Sequence, residues 1–286
     1  MTQQTKIWTH LGLGTAVAVG ALGAACAPAD TEMPAAEQAQ AEVAAPAPDA
    51  PVAASDTGVG EGEGGGAGEG EGGVSIAQAA TDPVVYISAL AITEAHVLAA
   101  RDAYAAGEMD AAGEMFAHPV SEVLAEMQPV FAQRGVSDFS DLLLEASDAA
   151  YGGEPAVRIA EHADAIIAAL RAAEGFAPDD GQTNSAVWAG VAADQIDRAA
   201  DMYAVAMESD AYEPYLDGYG FLKAAQAAYA GHRDAVAQAQ PAAAEAIEAA
   251  MALLQDAYPS ALRPDALTAN PAALKAAASR VQLALG

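Results

Sequence analysis

Two histidines placed evenly about a glycine are the residues whose types and spacing most clearly suggest chemistry. His96 precedes Gly107 by 11 residues, and His118 follows it by 11. If Gly107 joins two antiparallel helices, equal distances from the turn place both imidazoles at the same height. Facing imidazoles supply the nitrogen ligands that a transition metal ion prefers.

Carboxylates near these histidines extend the candidate site. Glu122 follows His118 by four residues and therefore shares its helical face, and Glu94 lies close to His96 in the sequence. The predicted metal ligands are His96, His118, Glu122 and Glu94, with Glu114 and Glu126 as further acids. Two imidazoles with carboxylates suit iron, zinc or manganese, whereas the nearby Met115 would favour copper.

A second interpretation of the same helix stays open. Its apolar stripe consists of Phe116, Val120, Val123 and Met127, and the acids with His118 fall broadly opposite that stripe. Such a row is typical of a solvated face, and Pro119 could begin a new helix with His118 as its cap. The histidines would then be structural or solvated.

The elements that must position these residues are helices. From residue 82 onward the chain is rich in Ala, Leu, Glu, Gln and Met, which favours an all-α fold of antiparallel helical bundles. Helices are predicted at about 83–106, 109–133, 138–150, 154–174, 184–208, 213–237, 240–257 and 271–284. Three of the predicted helices begin with an N-cap residue followed by proline: Asp82-Pro83, Glu154-Pro155 and Asn270-Pro271.

A weak internal repeat suggests that the folded part consists of two related helical halves, at 81–178 and 179–286. At an offset of 99 residues Asp102 matches Asp201, and Tyr104 matches Tyr203. The same offset places His118 on Asp217.

The N-terminal part predicts export. Lys6 precedes an apolar run that ends in small residues before Cys26, the only cysteine, so residues 1–26 form an export signal. Cys26 resembles the lipidated cysteine of bacterial lipoproteins, although the leucine lies four residues before it and not three. Ordinary cleavage near Cys26 stays an alternative. Residues 27–80, rich in Ala and Pro and then in Gly and Glu, predict a disordered acidic linker.

Charge and motifs exclude several function classes. The chain has 11 Lys and Arg against 40 Asp and Glu, a formal charge of −29 that disfavours nucleic-acid binding. Gly-rich phosphate loops, Gly-x-Ser-x-Gly and His-Glu-x-x-His motifs are absent from the sequence, so we do not expect an enzyme.

An exported, lipid-anchored, all-helical domain with two bundle-like halves resembles the imelysin-like and ferrous-iron-uptake periplasmic lipoproteins, over about residues 80–286. The Gly-x-His-x-x-Glu motif of that family is absent, since His96 is preceded by Glu94-Ala95 and followed three residues later by Ala99. No residue role is therefore transferred. The resemblance implies a periplasmic protein that captures or delivers iron or another metal ion. The alternative is a non-catalytic helical adaptor, anchored to the membrane through its lipid and docking an envelope protein.

Overall fold

The computed structural model describes residues 73–286, which fall within one compact unit. These residues form the predicted all-α fold, with no β-strand among them. The export signal with Cys26, and the predicted linker up to residue 72, lie outside the described residues. Residues 73–80 were assigned to that linker, but here they are packed: Val74 and Ala79 are buried, and a helical turn forms at Ile76–Ala79.

The described chain contains eleven α-helices and one π-helical turn. The helices are α1 (Ile76–Ala79), α2 (Pro83–Ala105), α3 (Met109–Pro119), α4 (Ala125–Arg134), α5 (Ser140–Tyr151), α6 (Ala156–Glu174), α7 (Asn184–Glu208), α8 (Glu213–Ala230), α9 (Arg233–Ala239), α10 (Pro241–Ala257) and α11 (Pro271–Leu285). The π-helical turn, Val120–Leu124, continues α3 directly into α4.

The predicted caps explain where α2 and α11 begin. The carboxylate of Asp82 accepts hydrogen bonds from the backbone N–H groups of Val84 and Val85, and Asn270 caps α11 in the same way. The third predicted cap differs, because α6 starts one residue later, with Pro155 at the cap position and no side-chain cap. The predicted helix at 213–237 is also divided, with α8 ending before Gly231 and α9 beginning at Arg233.

Helix α2 is the centre of the fold. It contacts α3, α6, α7 and α8, and it is buried along nearly its whole length. Among residues 73–286 it is the one helix long and apolar enough to cross a membrane, yet 89% of its apolar window is covered by neighbouring helices. An all-round apolar surface is what a central core helix requires.

Two helical hairpins surround the site. Helices α2 and α3 pack against each other across Gly107, whose φ of +96° permits the turn, as the sequence predicted. Helices α7 and α8 form the second hairpin, and both contact α2. The predicted boundary between the halves, at 178, lies in the connection between α6 and α7, and the duplication itself stays a prediction.

Glycines allow α8 to approach its neighbours closely. A Cβ atom at Gly220 would lie 2.4 Å from the carbonyl oxygen of Ala95 in α2, and one at Gly218 would lie 1.8 Å from the hydroxyl of Tyr258. Both distances are far shorter than a van der Waals contact distance. The segment Asp217–Phe221 is therefore a close helix–helix contact within a continuous α8.

Replacing Gly220 by alanine should destabilise the fold, because the added methyl group meets backbone atoms of α2. We expect a loss of about 2–3 kcal/mol in the free energy of unfolding, measured by urea denaturation followed by circular dichroism. Gly231→Ala is the control, since a Cβ there meets nothing within 4 Å and its φ is −76°. Equal stability of the two variants would contradict the close contact.

Candidate metal site

Three side chains from the first hairpin converge at one point. His96 lies on α2, His118 near the end of α3, and Glu122 in the π-helical turn. One potential ligand atom from each lies within 4.8 Å of the others. The two imidazole ring centres are 6.2 Å apart. The structure thus brings together three of the four predicted ligands.

His96 is held in one orientation with one nitrogen available. Its Nδ1 lies 2.8 Å from the carbonyl oxygen of Ile92, and a carbonyl only accepts, so Nδ1 carries the proton. Burial lowers the pKa of His96, which keeps the ring neutral near pH 7 and leaves a lone pair on Nε2. Histidines that bind metals commonly have this arrangement, in which the second ring nitrogen donates to a fixed acceptor.

Glu122 lies between the two imidazoles. Its Oε2 is 3.8 Å from Nε2 of His96, and its Oε1 is 4.0 Å from Nδ1 of His118. These separations are too long for hydrogen bonds. Two ligand atoms that each lie about 2.1 Å from one ion are separated by about 3.0–4.2 Å, depending on the angle between them. The spacing therefore fits an ion after small side-chain rotations.

The helical path after Pro119 differs from one of the sequence-based alternatives. The chain does not begin a new helix at Pro119, and His118 is not an N-cap, because the helix continues into the π-helical turn. π-Helical turns of this kind occur frequently at functional sites. Of the other predicted acids, Glu114 and Glu126 are not in the three-residue cluster, and Met115 is buried in the core.

Helix α8 adds two carboxylates that the sequence analysis did not select. Oδ1 of Asp217 is 3.7 Å from Nε2 of His96, and Oε1 of Glu213 is 3.7 Å from Nδ1 of His118. Burial, and then the negative charge of Glu213, raise the pKa of Asp217 to about 7. Phe221, also on α8, packs edge-on against the His96 ring with 6.0 Å between ring centres. The site is therefore formed by α2, by α3 with its π-helical turn, and by α8.

A sequence signal for these acids was present but faint. The 99-residue offset of the repeat matches Asp217 to His118, and it also matches Glu213 to Glu114. In addition, the glycines at 218 and 220 mark a helix that approaches its neighbours closely. Neither feature predicts which helix packs against α8.

The position of Glu94 corrects the fourth predicted ligand. Glu94 is two residues before His96 on α2 and points away from the cluster, and its buried carboxylate pairs with the Arg171 guanidinium of α6. Arg171 also pairs with Glu174. Glu94 is thus part of an ion pair between α2 and α6.

Removal of Arg171 should destabilise the fold without affecting the cluster. Arg171→Ala leaves the Glu94 carboxylate buried without its partner, and we expect a loss of about 2 kcal/mol in the free energy of unfolding. Glu94→Gln should leave any metal affinity unchanged. Chemical denaturation measures the stability of Arg171→Ala, and metal titration measures the affinity of Glu94→Gln. A loss of metal affinity in Glu94→Gln would show that Glu94 is a metal ligand after all.

Comparison with known families gives one match. Residues 209–285 match the iron permease-associated 4-helix bundle domain. The matched segment spans α8 to α11, about a quarter of the chain, and includes Glu213 and Asp217 but not His96, His118 or Glu122. No curated protein and no solved structure matches the chain significantly. The match relates residues 209–285 to a domain associated with iron permeases, and nothing in these comparisons supports the imelysin-like part of the resemblance.

Proposed function

We propose that this protein is an exported, lipid-anchored helical protein that binds iron at the cell envelope and captures or delivers it beside an iron permease. The ion is held by His96, His118 and Glu122. Iron is cargo in this proposal, and no catalytic step is required of the protein.

The observation that carries the proposal is the state of His96. A buried imidazole with its Nδ1 bonded to the carbonyl oxygen of Ile92 presents its Nε2 toward Glu122, with His118 beside it. A structural histidine in a core normally has both ring nitrogens hydrogen-bonded. Here Nε2 faces two carboxylate oxygens at distances beyond hydrogen bonding, which is an arrangement that a cation would complete.

The donor set argues against copper, and the family match points to iron among the remaining ions. The cluster offers nitrogen and oxygen atoms and no sulfur, a donor set that suits Fe²⁺, Fe³⁺, Mn²⁺ or Zn²⁺ better than Cu⁺. The match at 209–285 is to a domain associated with iron permeases, and this segment contributes the acids adjoining the cluster. Together they support iron as the ion and a permease as the neighbour.

Replacing both histidines should abolish tight metal binding. Purified protein is expected to bind about one Fe²⁺ per chain under anaerobic conditions, and His96→Ala with His118→Ala should weaken binding by at least about 100-fold, since two of the ligands are lost. Competition with a coloured chelator measures the affinity, and circular dichroism verifies the fold.

His162→Ala is the matched control, because His162 lies on α6 outside the cluster. It should bind iron like the unmodified protein. Wild-type binding that is weaker than micromolar and unaffected by the double substitution would reject the iron-binding role and leave the adaptor interpretation.

The anchor is tested separately. Cys26→Ser should move the protein from the membrane fraction to the soluble fraction of the envelope, because a lipidated cysteine is the proposed attachment. Cell fractionation with immunoblotting measures the distribution. If wild-type protein and Cys26→Ser are equally soluble, the export signal is removed by ordinary cleavage and no lipid is attached.

A further inference from the structure

Asp217 is a largely buried acid that lies beside the cluster on α8. Its Oδ1 has no hydrogen-bond partner, and 17% of its side chain is exposed. Buried carboxylates normally accept hydrogen bonds or pair with Lys or Arg, since an unpaired buried charge is costly. Among residues 73–286, no Lys or Arg forms an ion pair with Asp217.

The groups that surround Asp217 increase this cost. Two further carboxylates lie beside the same imidazoles: Oε2 of Glu122 is 3.8 Å from Nε2 of His96, and Oε1 of Glu213 is 3.7 Å from Nδ1 of His118. Three carboxylates and two imidazoles therefore share one small volume. Ionised carboxylates this close repel one another, and a cation bound among them would remove that repulsion.

Asp217 adjoins the cluster at His96, although it is not one of the three residues whose ligand atoms all lie within 4.8 Å of one another. Its unpartnered Oδ1 lies 3.7 Å from Nε2 of His96, the nitrogen whose lone pair is available. The distance lies within the range of about 3.0–4.2 Å expected for two ligands of one ion. Gly220, three residues later on α8, allows the helix to approach α2 at Ala95, next to His96.

We propose that Asp217 is a ligand of the same metal ion, so that the ion is bound by His96, His118, Glu122 and Asp217 and links α8 to the α2–α3 hairpin. The assignment rests on the proposed function and extends it. The four proposed ligands, two neutral imidazoles and two carboxylates, carry a charge of −2 that a divalent cation balances, while the half-exposed Glu213 lies outside this ligand set. The expected cargo is therefore a divalent ion such as Fe²⁺, with Mn²⁺ and Zn²⁺ as competitors.

The substitution Asp217→Asn tests whether Asp217 is a metal ligand or a structural residue. The amide has nearly the same shape but is a poor metal ligand, so Fe²⁺ affinity should fall at least about tenfold. The Tm of the metal-free protein should stay the same or rise, because an unpaired buried acid is removed. The visible spectrum of bound Co²⁺, which depends on the ligand set, should also change. Asp256→Asn, exposed on α10, is the control and should match wild type in all three measurements.

The possible outcomes distinguish this inference from the proposed function. If wild type binds Fe²⁺, the double histidine variant does not, and Asp217→Asn binds within twofold of wild type, Asp217 is not a ligand although the iron site stands. An affinity loss accompanied by a lower metal-free Tm would assign Asp217 a structural role and equally overturn the inference. Failure of wild type itself to bind Fe²⁺, Mn²⁺, Zn²⁺ or Co²⁺ would reject both.

Discussion

The contact between α8 and α2 at Gly220 and Ala95 is the constraint on which the candidate site depends. Without a side chain at 220, the backbone of α8 lies directly against the carbonyl of Ala95. His96 is the next residue on α2, so the same contact determines how far the acids of α8 are from its imidazole. An ordinary helix separation, with side chains between the two backbones, would place Asp217 well beyond 3.7 Å from Nε2 of His96.

The polar residues of α2 differ in how their side chains are satisfied. This helix is nearly all apolar, and most of its buried polar groups find a partner, although the Ser88 hydroxyl has none. The Thr93 hydroxyl contacts the carbonyl of Ala89, and Glu94 pairs with Arg171. The Nδ1–H group of His96 likewise donates a hydrogen bond to the carbonyl oxygen of Ile92. Its Nε2 instead faces the carboxylates of Glu122 and Asp217 at 3.8 and 3.7 Å, beyond hydrogen-bonding distance, and this difference motivates the proposed metal site.

The sequence could predict local features of this molecule and only part of the site. Alanine-rich composition, the Asp82-Pro83 cap and Gly107 are local signals, so α2 and the turn of the first hairpin were predicted nearly to the residue, whereas the predicted helix at 213–237 is divided. The equal spacing of His96 and His118 from Gly107 is also local, and the structure has the imidazoles facing each other. The prediction that Glu94 is a metal ligand was wrong because its side chain points toward α6. The sequence did not indicate that α6 supplies an arginine as its partner. The acids of α8 were missed because about 100 residues separate them from the hairpin, and only tertiary packing brings them together.

The distribution of the site across the chain relates it to the family match. The segment matched to the iron permease-associated domain begins at residue 209 and contains only the acids of α8. The imidazoles come from α2 and α3, outside that segment. Carboxylates alone would attract cations without much selectivity, as does the formal charge of −29 over the whole chain. The two histidines add nitrogen ligands, which favour transition metals over calcium or magnesium. Selective iron binding would therefore require the matched segment and the preceding hairpin together, with the close contact at Gly220 holding one against the other.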